Sequence, residues 1–79
     1  MAERAERITA ILCRVGKLQN IGPDEDFYSA GFSSISALEL LLELETEFGV
    51  SIPDDQFVPA RTVRALDAVI SGLNQEQAV

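Results

Sequence analysis

Between Ser34 and Phe48 the chain carries more apolar residues at helical spacing than one face of a helix can bury. At about 100° per residue, Ala37, Leu40, Leu41, Leu44 and Phe48 cluster on one side and suffice for a core stripe. Ile35, Leu38 and Leu42 fall on a different arc, beside Ser34, where a surface helix normally carries polar residues. Either this helix lies centrally and is buried nearly all round, or the second arc is a binding patch rimmed by acids. Both readings place the segment in a helical bundle.

The flanking segments supply the other helices. Ile8, Ile11, Leu12, Val15 and Leu18 recur at helical spacing and predict a first helix over about residues 3–18. Gln19 to Ser33 reads as a loop, rich in turn formers (Asn20, Gly22, Pro23, Asp24, Gly31) and pinned to the bundle by Phe27, Tyr28 and Phe32. Ser33 or Ser34 can cap the second helix and Gly49 can stop it. Val50 to Pro53 is a short extended link, and Asp54 to Val58 allows one turn or two of helix before Pro59. Thr62 is an N-cap for a last helix over about 63–73, with Val63, Leu66, Val69 and Ile70 inward and a frayed tail from about 74. The expectation is an all-α fold: a single domain over 1–79, a small four-helix bundle of three main helices and one short one.

Composition narrows the function. A chain of 79 residues has material for one core, and 47% apolar against 24% charged residues is a globular balance. With no histidine and one cysteine, a Ser/His/Asp or Cys/His catalytic unit and a zinc site with several Cys or His ligands are excluded. A net charge of -7 disfavours nucleic acid and anionic membrane surfaces, whose binding relies on Lys and Arg. No apolar run approaches the ~20 residues of a membrane span, and a cytoplasmic protein is expected. Cys13 lies off the apolar stripe of the first helix and reads as an incidental exposed thiol. Asp24-Glu25-Asp26 resembles the start of a calcium loop, but Ser29 and Ile35 stand where an EF-hand needs Gly and an acid. These acids are expected to be solvated or to cap a turn.

The charge is segregated. Residues 1–17 hold two acids and four bases, residues 18–60 hold nine acids and no base, and the rest hold two of each. Glu39, Glu43 and Glu47 follow one another at i, i+4 with no Lys or Arg on the same helix. Each like-charge neighbour costs roughly 0.2 to 0.5 kcal/mol in an isolated helix. The ridge is either a solvated face that keeps a small protein soluble or a surface complementary to a basic partner, where it steers encounter.

The segment Asp26-Phe27-Tyr28-Ser29-Ala30-Gly31-Phe32-Ser33-Ser34-Ile35 resembles the attachment region of acyl and peptidyl carrier proteins. In that family a Gly-x-x-Ser-(Leu or Ile) motif precedes the second helix and its serine carries 4'-phosphopantetheine. Gly31-Phe32-Ser33-Ser34-Ile35 matches it, and makes Ser34 the corresponding serine. The resemblance continues through the acidic helix and the Phe48-Gly49-Val50-Ser51-Ile52-Pro53-Asp54 link. Many acyl carriers have Asp immediately before the modified serine where this chain has Ser33. The Asp-Phe-Tyr-x-x-Gly approach looks closer to peptidyl and freestanding aminoacyl carriers. The resemblance implies a non-catalytic carrier with an arm donated by coenzyme A and its cargo held as a thioester, and nothing in the sequence demands more than a monomer. It implies a phosphopantetheinyl transferase, an acyl- or aminoacyl-loading ligase and a downstream acyl-transfer enzyme as partners. They would dock on Ile35, Leu38 and Leu42, steered by Glu39, Glu43 and Glu47 with Glu45 nearby. The runner-up is an unmodified acidic helical module that binds a basic partner through the same surface.

Overall fold

Ile8, Ile11, Leu12 and Val15 form the inner face of α1 (Ala2–Gly16), each no more than 8% exposed in a computed structural model that describes residues 2–77. A 3-10 turn (Ser34–Ser36) leads into α2 (Ala37–Phe48), followed by α3 (Asp54–Phe57) and α4 (Val63–Gln77). No strand occurs among the described residues. α1 packs against both α2 and α4, and α3 lies on α4. Their inner faces join Ile21, Phe27, Phe32, Val50 and Ile52 in one continuous core, and no charged or polar side chain of the described residues is buried.

The helix ends follow the chemistry of their caps, with three adjustments to the expected bounds. α1 stops at Gly16 rather than at Leu18, because Lys17 takes a left-handed φ of 57° and the Leu18 N–H folds back to the Cys13 carbonyl at 2.9 Å. Leu18 still packs against the core, half-buried. The second helical segment begins as a 3-10 turn, and its α-helical part starts at Ala37. α4 runs to Gln77, past the expected end near 73; residues 78 and 79 of the tail expected from about 74 lie outside the described residues. Gly49 stops α2 at φ 65°, a conformation that L side chains adopt only at a cost. Thr62 caps α4, its Oγ1 accepting from the Ala65 N–H at 3.0 Å.

Of the five residues expected inside α2, Leu40 and Leu44 are fully buried while Ala37, Leu41 and Phe48 are half-buried. Those three sit at the margins of a stripe narrower than the wheel allowed, and Phe48 is roofed by the Arg7 guanidinium, 4.8 Å from the ring centroid. Cys13 is likewise half-buried against the core rather than exposed. It lines an apolar groove of about 650 Å³ between α1 and residues 19–23, which shares no residue with the surroundings of Ser34.

The loop from Lys17 to Ser33 is fastened at two levels. Phe27, Tyr28 and Phe32 stack as a trio with centroids 4.7 to 5.9 Å apart. The backbone is tied to the start of α4: Phe27 N–H donates to the Arg61 carbonyl at 3.0 Å and Arg64 N–H to that of Pro23 at 2.9 Å. Asp24 accepts from Arg64 Nη2 at 2.9 Å and Asp26 from Arg61 Nε at 2.7 Å. Asp26 Oδ1 also caps the turn, accepting from the Tyr28 and Ser29 N–H groups at 2.9 and 3.2 Å. The acids that resemble a calcium loop are thus arginine partners and a turn cap.

Hydrogen bonding from Arg64 holds the Asp24 carboxyl below its ordinary range, and hydrogen bonding from Arg61 does the same for Asp26. A depressed native pKa stabilises the fold above the unfolded value, about 3.9, and that contribution is lost as pH falls through the native value. Asp24 is exposed and Asp26 only half-buried, so solvent screening keeps the effect small. The Asp24→Asn, Asp26→Asn double variant should have a thermal midpoint slightly below wild type at pH 7, with the difference shrinking as acid below the unfolded value protonates the two carboxyls. Parallel midpoint curves down to the lowest pH would show that the two clasps contribute nothing.

Candidate functional site

The motif segment reaches α2 through backbone that only part of the residue alphabet can follow. Gly31 has φ 116°, a region closed to side chains with a Cβ, and lets the chain reverse after the aromatic trio. Phe32 then returns to the core at 3% exposure, its N–H bonded to the Phe27 carbonyl at 2.9 Å. Anchored there, the next residues project outward.

Two adjacent serines are given different work. Ser33 has extended backbone and its Oγ accepts from the Ile35 N–H at 3.2 Å, so it caps the 3-10 turn. Short polar acceptors of this kind, Ser or Asp, serve equally well as caps, which gives Ser33 a physical role at the position where many carriers have Asp. Ser34 is exposed, and its hydroxyl has no hydrogen-bond partner among the described residues. Ser36, the third serine of the segment, is half-buried and makes no side-chain cap bond.

Around Ser34 the surface is apolar. Ile35 is 91% exposed, Leu38 65% and Leu42 54%, so the second arc of the helix is an open patch and α2 is not buried all round. Val58, at the end of α3, adds a fourth exposed apolar side chain at 67%. Sequence reading passed over it because a lone valine before Pro59 carries no periodic signal. A groove of about 350 Å³ runs beside the serine, lined by Tyr28, Ser34, Ala37, Phe57, Val58 and Arg61. Arg61 is its one charged residue.

The acidic ridge is not the bare surface that its sequence implied. Glu43 Oε1 accepts from Arg14 Nη2 at 2.7 Å, and Glu47 Oε2 from Arg7 Nε at 2.8 Å. The nearby Glu43 carboxylate pushes the Arg14 pKa up. The charge that α2 lacks is supplied from α1, and the two glutamates lie along the seam between the helices. Glu45 turns toward the link, its carboxylate accepting from the Ile52 N–H at 2.8 Å. Glu39 is exposed and unpaired among the described residues, next to Leu38 in the chain and one helical turn before Leu42. Thus the structure brings Ser34, Ile35, Leu38, Glu39 and Leu42 together, with Glu43 and Glu47 on a neighbouring edge already occupied by arginine.

The model of the phosphopantetheine attachment site family matches residues 6–70. The chain is 36% identical over 58 residues to fusarin C synthetase of Gibberella moniliformis (strain M3125 / FGSC 7600), a match covering 73% of this chain and 2% of that protein. It is 35% identical over 48 residues to the acyl carrier protein of Rickettsia bellii (strain RML369-C), covering 60% of this chain and 56% of that one. The chain therefore spans a small fraction of one relative and about half the length of the other. With the family's model matched over most of its length and an all-helical fold of three main helices and one short one among the described residues, the chain belongs to the phosphopantetheine attachment site family.

Proposed function

We propose that this chain carries its arm on Ser34 and presents an acyl or aminoacyl group to successive enzymes in a cytoplasmic setting. The observation that carries the assignment to this residue is the division of labour between the serines: Ser33 is used as a cap, while the Ser34 hydroxyl is exposed and unbonded among the described residues. When bound, the arm supplies a terminal thiol on which cargo is held as a thioester.

Ser34 acts as the attachment oxygen. Its groove holds no carboxylate and the chain has no histidine, so the base that takes the hydroxyl proton belongs to the transferase. The fixed loop and the anchoring of Phe32 keep Ser34 at a constant place on the surface, and tethering there raises the effective concentration of cargo at each docked enzyme. Ile35, Leu38 and Leu42 provide the apolar contact and Glu39 the orientation toward a basic partner face. The partners are a phosphopantetheinyl transferase, a loading ligase and an acyl-transfer enzyme. The runner-up, an unmodified acidic module, draws less support now that two of the three ridge acids are paired with α1.

Steering can be tested separately from attachment. Glu39→Lys should slow association with the transferase several-fold at low salt and much less at high salt. Glu47→Lys, which alters an acid already paired with Arg7, should slow it less. Equal effects of the two substitutions, or no salt dependence, would remove Glu39 from the docking surface.

A further inference from the structure

The groove beside Ser34 contains a cation whose donors are not all in use. A guanidinium donates from Nε and from both Nη groups. Arg61 Nε is committed to Asp26 Oδ2 at 2.7 Å, and neither Nη has a hydrogen-bond partner among the described residues. The guanidinium lies over the Tyr28 ring, 4.8 Å from its centroid, and both residues line the groove. Its backbone is held as well, since the Arg61 carbonyl accepts from the Phe27 N–H. The other arginines with described partners, Arg4, Arg7, Arg14 and Arg64, pair with Asp67, Glu47, Glu43 and Asp24, and none of them lines this groove.

We infer that Arg61 is an anion-binding residue for the phosphodiester of the arm, and that Tyr28 and Val58 form the apolar wall against which the arm's first segment rests. The inference depends on attachment at Ser34. An arm joined to that oxygen places one negative charge at the mouth of a groove whose charged lining residue is an oriented guanidinium, a group suited to phosphate oxygens. The Asp26 carboxylate opposes this attraction and is the only acid hydrogen-bonded to Arg61 among the described residues, so it sets the strength of the contact. Holding the near end of the arm leaves its thiol end free, which limits the volume searched by the cargo without blocking delivery.

The test uses the holo protein made with isotope-labelled coenzyme A and a transferase, its single adduct checked by intact mass, and compares wild type with Arg61→Gln and Asp26→Asn. In wild type the geminal methyls of the arm should show nuclear Overhauser contacts to the Tyr28 ring and the Val58 methyls, and the phosphorus resonance should move toward its free-diester position as salt is raised. Arg61→Gln should abolish both signals. Asp26→Asn breaks the same clasp between loop and α4 but releases Arg61 Nε, so it should keep or strengthen them. Equal losses in the two variants would mean that Arg61 acts only through the clasp, and an arm as mobile in wild type as in free pantetheine would mean that there is no subsite; either result overturns the inference while leaving attachment at Ser34 in place. Failure of wild type to load overturns the attachment reading and this one with it.

Discussion

Ser34→Ala should abolish uptake of phosphopantetheine while the helical circular dichroism and thermal midpoint stay close to wild type. The expected loss is complete, because the substitution deletes the one oxygen to which the phosphorus is joined and no conformational adjustment brings another into its place. Ser33 Oγ is engaged with the Ile35 N–H, and Ser36 is half-buried a full residue pair further along the turn. The fold is expected to be indifferent, since the Ser34 side chain is exposed and bonded to nothing among the described residues, and exposed substitutions of this kind stay within about 0.5 kcal/mol. Ser33→Ala gives the opposite pattern. It removes a cap worth roughly 0.5 to 2 kcal/mol and leaves the attachment oxygen, so loading continues on a somewhat less stable domain. Loading by Ser34→Ala at the wild-type rate would refute the assignment to this residue.

The second large effect separates the two arcs of α2. Leu44 is fully buried among the inner residues of the bundle, and Leu44→Ala should cost about 2 to 5 kcal/mol from lost transfer energy and the cavity left behind. For a domain of this size, whose total stability is of the order of 4 to 12 kcal/mol, that is a large share, with a fall of roughly 4 to 8 °C in midpoint for each kcal/mol. Leu38, 65% exposed on the other arc, should cost well under 1 kcal/mol when truncated and should instead weaken the transferase complex. Chemical denaturation of both variants, with binding measured in parallel, decides the matter. A comparable loss of stability from Leu38→Ala would mean that the patch beside Ser34 is part of the core.

What could be read from the sequence followed from local rules. Period and caps located the helices, because these signals connect residues only a few positions apart, and the Gly-x-x-Ser spacing on which the proposal for Ser34 rests is equally local. The features that escaped are tertiary. Arg14 and Glu43 are 29 residues apart and Arg7 and Glu47 are 40 apart, so two of the three acids in a ridge that reads as uncompensated on one helix are paired by its neighbour. The same holds for Asp24 with Arg64 and Asp26 with Arg61, where a loop that invited comparison with a metal site turns out to be clasped to α4. Arg61 and Val58 stand in short irregular segments with no period to reveal which way they face, and only the approach of α3 and the loop to α2 makes them walls of one groove. Lys17 ends α1 early for a similar reason: the loop must turn back onto the bundle, and that demand outweighs continuation of a favourable stripe.

The most direct test of the account is the intact mass of the reduced protein before and after incubation with coenzyme A, magnesium and a promiscuous transferase, followed by fragmentation to place the adduct. The account predicts a single phosphopantetheine on Ser34 in wild type and none in Ser34→Ala. An adduct localised to Ser33 or Ser36, or no adduct on folded protein with several transferases, would contradict it.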